Sequence, residues 1–175
     1  MKPRPAMAGI LILLLSGCAT PEQKAAELRS RYAAAKDLLG HAARQYQLAS
    51  ANLQDTEKAK LLDLASAGCE EVLKRYPDQK LWCSLALRDL GNVRAAQGRL
   101  DEAVKLYNRV AKEYPQQDWE VLQAWKSAAD LLWDDGRHDE AREFYRKIVR
   151  QFDSGDEPTT IRQIVQVAKS RLVSD

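Results

Sequence analysis

Apolar residues recur along most of the 175-residue chain at alternating steps of three and four, the spacing of one face of an α-helix. The longest run is Ala25, Leu28, Tyr32, Ala35, Leu39, Ala42, Tyr46, Ala49 and Leu53, which predicts one helix over 21–54. Thr20-Pro21-Glu22-Gln23 supplies its start, a capping box with proline at the first helical position. Such a helix is roughly 50 Å long at about 1.5 Å per residue. It outreaches the next predicted helix, 57–76, so its N-terminal half overhangs. Near the other end, Ile161, Ile164, Val165, Ala168 and Leu172 make one stripe after Pro158, with Thr160 to Gln163 as a second capping box. Asp153 to Glu157 reads as the loop before it. The first residues differ: Lys2 and Arg4 precede an apolar stretch from Ala6 to Leu15. That is shorter than the roughly 20 residues of a membrane-spanning helix, and it reads as a signal peptide over 1–17.

Between these ends the chain repeats itself. Shifting it by 38 residues brings Tyr76-Pro77 onto Tyr114-Pro115 and then onto Phe152-Asp153, while Ala65, Ala103 and Ala141 coincide, as do Cys69, Tyr107 and Tyr145. Gly98 falls on Gly136. The clearest unit contains Leu87, Leu90-Gly91, Gly98, Ala103, Tyr107, Val110 and Pro115. In the next, Trp125, Gly136, Ala141 and Tyr145 hold the corresponding places, with Ala128-Ala129 where the earlier unit has Leu-Gly. A first unit, roughly 40–77, keeps Leu62, Ala65, Val72 and Pro77, with Lys60 where the turn glycine would stand. Small Ala103 and Ala141 let paired helices approach, and the larger residues fill the seams between units. The pattern divides the chain into 1–17, a helical N-terminus over 18–56, repeats over 57–153, and a loop and capping helix over 154–175.

These residues resemble the tetratricopeptide repeat, a helix-turn-helix unit with a large residue and Leu-Gly on its first helix, and an alanine, an aromatic and a closing proline on its second. The resemblance implies an all-α, right-handed superhelix of about three hairpins. It also implies a concave face lined by first-helix residues: Arg88, Asn92 and Ala95 in one unit, Lys126, Asp130 and Trp133 in the next. An arginine, a lysine, an amide and an indole there would grip a peptide or a carboxylate. Gln123 and Ser127 stand where the carboxylate clamp of chaperone-binding members wants basic groups, so that clamp is incomplete. The long period and the Tyr-Pro endings resemble repeats in periplasmic proteins of outer-membrane assembly and of the Tol-Pal system. Leu15-Ser16-Gly17-Cys18 resembles the lipobox of bacterial lipoproteins, which implies an acylated Cys18 and a membrane anchor. Ala19 lacks the aspartate associated with inner-membrane retention, so the expected location is the periplasmic face of the outer membrane.

Composition narrows the chemistry. Lys plus Arg number 27 against 25 Asp plus Glu, and setting aside Lys2 and Arg4 leaves the signs balanced, which removes the basis for nucleic-acid binding. Two His and three Cys leave few ligands or nucleophiles. His41 and His138 have no metal-ligand spacing to a second His or Cys, and no Gly-rich phosphate loop, HExxH or GxSxG occurs. Metal, cofactor and catalytic residues are therefore not expected. Cys69 and Cys83 flank the turn near Pro77 with an axial offset of roughly 6 Å, near the upper limit for a bridge. A disulfide and two buried free thiols are the alternatives, and the second is favoured. Trp82 and Trp119, near the starts of first helices, are expected to pack between units.

The expected function is a non-catalytic scaffold that holds a periplasmic or outer-membrane protein. Rival readings are a self-associating or Tol-Pal-like spacer built on the 21–54 heptads, and a cell-wall enzyme accessory. Alanine at many of the heptad positions, and Gly40 within the helix, make homo-oligomerisation weak or absent.

Overall fold

The computed structural model describes residues 19–51 and 53–173. The proposed leader over 1–17 and Cys18 lie outside the described residues. The described chain is all-helical: α1 (Pro21–Ala49), α2 (Asp55–Arg75), α3 (Lys80–Ala96), α4 (Leu100–Glu113), α5 (Asp118–Asp134), α6 (His138–Phe152) and α7 (Thr159–Val173). The hairpins α1/α2, α3/α4 and α5/α6 stack in chain order, and α7 covers α6 at the open end.

α1 begins where its capping box places it. Gln23 N donates to Thr20 Oγ1 at 3.2 Å, and Thr20 N donates to Gln23 Oε1 at 2.8 Å. The helix is single but ends at Ala49, five residues before the expected 54. Its partner α2 starts at Asp55, so Lys60 lies inside α2, not at a turn. That makes α2 21 residues long against 14 for α4, a hairpin extended by two turns. Only Ala35, Leu39, Ala42 and Ala49 of α1 are buried, and residues 21–30 are exposed throughout. The overhang is therefore present, and the second half of the heptad face is consumed by α2 and α3. Gly68 permits the close crossing, since a Cβ there would stand 2.8 Å from Ala42 Cβ.

The two later hairpins share one turn design. Gly98 has φ 74° and Gly136 φ 79°, the left-handed region that favours glycine. Arg99 N bonds to Arg94 O and Gly98 N to Ala95 O, with Arg137 to Leu132 and Gly136 to Trp133 repeating the arrangement, which is the Schellman motif. Ala103 and Ala141 are fully buried at the close approach inside each hairpin. Leu87, Tyr107, Val110, Leu122, Leu132, Tyr145, Ile148 and Val165 join into one core running from α3 to α7. α7 starts at Thr159, so Thr160 lies inside its first turn instead of capping it, and Arg162 N bonds to Pro158 O.

Candidate functional site

Helices α1, α3 and α5 are the first members of their hairpins and line the inner face. Each residue expected to contact a partner there already has intramolecular work. Arg88 Nε of α3 stands 2.8 Å from Glu120 Oε2 of α5, an ion pair without hydrogen-bond geometry, and the two side chains are 21% and 6% exposed. Burial pushes the Glu120 carboxyl up, opposed by Arg88 and reinforced by Asp89. The pair ties one unit to the next. Asn92 Oδ1 accepts from Tyr107 OH at 2.8 Å, and Asp130 Oδ1 accepts from Tyr145 OH at 3.0 Å. Lys126 Nζ is bound by the other oxygen of Asp130.

Trp133 departs further from the expected free indole. It is half-buried against α6 and α7, stacked on His138 with centroids 4.4 Å apart and edge-on to Tyr145 at 6.1 Å. The Arg171 guanidinium lies 4.5 Å from its ring centroid, a cation-π contact that holds the capping helix. Trp125 packs edge-on to Phe152 at 6.2 Å. Trp82 meets Tyr32 of α1 at 5.1 Å, a packing contact between units. Trp119 does not pack as expected. It is 47% exposed at the start of α5, one period beyond exposed Leu81.

Cys69 and Cys83 are buried free thiols. Cys83 Sγ donates to Tyr76 O at 3.1 Å, and burial pushes the Cys69 thiol up to about 12. Both behave as small apolar groups. Among the described residues no group of three His, Cys, Asp or Glu side chains is placed to hold a metal ion, and no helix is long and apolar enough to cross a membrane.

The electrostatics of the inner face follow from these pairings. Arg88 and Lys126 are both matched by carboxylates, and Asp89 is added to the acidic side. Asp89 is 26% exposed, 3.7 Å from Arg88 Nη2, and accepts a long 3.5 Å hydrogen bond from Asn92 Nδ2. Burial pushes its carboxyl up, with Arg88 only partly opposing. Asp89 borders a cavity of about 230 Å³ between α1, α2 and α3, whose walls include Ala42, Ala43, Tyr46, Ala65 and Val93.

Residues 84–117 match a tetratricopeptide repeat family model, and residues 120–156 match a second tetratricopeptide repeat model. The two matched segments are the α3/α4 and α5/α6 hairpins. Repeats of this class are interaction modules that bind protein partners and are generally non-catalytic. No curated protein matches the chain.

Proposed function

We propose that the chain is a lipid-anchored, non-catalytic adaptor of the bacterial cell envelope that holds a protein partner on the concave face of its repeats, at the periplasmic side of the outer membrane. The observation that carries the adaptor reading is the pair of matched repeats, with Gln123 and Ser127 of the first helix α5 half-exposed beside the paired charges. The anchor rests on the basic start, the apolar stretch and Leu15-Ser16-Gly17-Cys18. An overhanging α1, exposed over 21–30, would stand between membrane and repeats as a short spacer. Outer-membrane assembly and the Tol-Pal system are the pathways that the repeat resemblance favours.

The test is affinity capture of the full chain from native envelopes, comparing Gln123→Trp on the inner face with Lys112→Glu on the outer face. A protein retained by the wild type and Lys112→Glu but lost by Gln123→Trp supports the reading. Identical retention by all three contradicts it. Radiolabelled palmitate incorporated by the wild type and not by Cys18→Ser supports the anchor; equal labelling removes it.

Self-association through the heptads has less to work with. Of their apolar positions, Ala35, Leu39, Ala42 and Ala49 are already buried within the chain. Ala25, Leu28 and Tyr32 remain exposed, Tyr32 already edge-on to Trp82, a small apolar area for a stable dimer.

A further inference from the structure

The cavity between α1 and α3 joins an apolar wall to a poorly compensated carboxylate. Alanines 42, 43 and 65 and Val93 give it aliphatic sides, while Tyr46, Asp89 and Asn92 supply the polar part of its lining. A volume of about 230 Å³ admits one side chain, not a helix or a cofactor.

The charges around Asp89 decide which side chain. On its own helix, Arg88 is engaged by Glu120 at 2.8 Å, and Arg94 is engaged by Glu70 at 2.9 Å. From α1 comes the Tyr46 phenol, which feels the Asp89 charge. From α2 comes Cys69, which feels the charges of both Asp89 and Glu70, the latter paired with Arg94. From α4 comes Tyr107, whose hydroxyl is committed to Asn92, and from α5 comes Glu120. Asp89 has room for further donors, since a carboxylate has about four acceptor directions and the contacts to Asn92 and Arg88 are long. A neutral apolar occupant would cover that charge and leave it only the long contacts to Arg88 and Asn92, and an anion would be repelled by it.

We propose that this cleft receives the cationic side chain, lysine or arginine, of the protein held on the concave face, with its aliphatic stem against the alanines and its charged head on Asp89 and Asn92. The proposal rests on the adaptor reading for its partner, and it reverses the chemistry expected from an arginine- and lysine-lined groove: the face selects a basic segment, not a carboxylate. Asp89 is a specificity group whose cost to the free chain is offset on binding.

The probe is n-butylammonium, titrated against the isotope-labelled full chain in a neutral detergent and read by nuclear magnetic resonance, with 1-butanol and butyrate as neutral and anionic counterparts. Saturable shifts at Tyr46, Asp89 and the Asn92 side-chain amide, for butylammonium alone, are expected. Asp89→Asn, which keeps the shape, should weaken binding at least tenfold, and Ala43→Phe, which fills the cleft and keeps the charge, should abolish it. The dispersed amide signals of Gly98 and Gly136 report that each variant is folded. Equal response to butanol or butyrate, shifts centred elsewhere, or an unaffected Asp89→Asn overturns the proposal. Capture of a partner on the concave face with no butylammonium response overturns the cleft alone. Cation binding in the cleft with no concave partner overturns the adaptor reading alone.

Discussion

Tyr107 donates its hydroxyl hydrogen bond to Asn92 Oδ1 at 2.8 Å, closing the α3/α4 hairpin from the concave side. One period later Tyr145 makes the same bond to Asp130 at 3.0 Å. The aromatic of the second helix thus does two things: its ring fills the space over Gly91, and its hydroxyl fixes a polar side chain of the first helix. A Cβ at position 91 would come within 2.6 Å of Tyr107 Cε1. Gly91→Ala should therefore destabilise by about 1–3 kcal/mol through overpacking. Tyr107→Phe should lose about 1 kcal/mol. A double-mutant cycle of Tyr107→Phe with Asn92→Ala, measured by urea denaturation, should give a coupling of about 0.5–1.5 kcal/mol. Zero coupling would mean the bond does not hold the hairpin.

The Arg88–Glu120 pair makes Arg88 a structural residue before it is a binding one. Arg88→Ala leaves a buried Glu120 carboxylate uncompensated and should lower stability by about 3 kcal/mol. Arg88→Met with Glu120→Leu should recover most of that loss. For the same reason a charge reversal at 88 disturbs folding and is a poor probe of partner binding. Thermal denaturation of the singles and the double checks this; full additivity would contradict it.

Asp89 gives a pH signature. Its folded-state pKa is raised, chiefly by burial, so the folded chain holds the proton more tightly than the unfolded one. The stabilisation this brings is complete below the unfolded carboxylate value, about 3.9, and is lost as pH rises through the folded value. Of the groups facing it, the Tyr46 and Tyr107 phenols and the Cys69 thiol are pushed up by burial and stay neutral across that window, while the Glu120 carboxyl is also raised. Asp89→Asn should therefore melt higher than wild type at neutral pH, with the difference shrinking in acid. A lower melting temperature at neutral pH would mean that Asp89 stabilises the free fold.

The two cysteines should behave as interior apolar groups. Native chain should react slowly with iodoacetamide, and denatured, unreduced chain should take up label at both Cys69 and Cys83, with mass spectrometry as the readout. Protection of both after denaturation without reductant would establish a bridge.

Much of this was legible from residues alone. The 38-residue period placed Gly98, Gly136, Ala103, Ala141, Tyr107 and Tyr145 in equivalent roles, because repeat packing demands the same small, large and turn residues at each stage. The start of α1 was legible because a capping box is a local signal. The length of the first hairpin was not, since Lys60 offers no turn chemistry and α1 ends at Ala49, well before the position that the period assigns to the turn. The inner face was read only in part. Helical spacing identifies which residues share a face, as with Arg88 and Asn92, but not that Glu120 from another helix neutralises one and Tyr107 engages the other. Trp133 was similarly hidden, because Arg171 and His138 reach it from α7 and α6.

The most direct test of the central claim is site-specific photo-crosslinking in the native envelope, with the reactive residue at 123 or 127 on the inner face and at 112 on the outer face, and mass spectrometry of the products. One heterologous protein captured from 123 and 127 and not from 112 is the expected result. Crosslinks only between copies of the chain, or the same products from both faces, would contradict it.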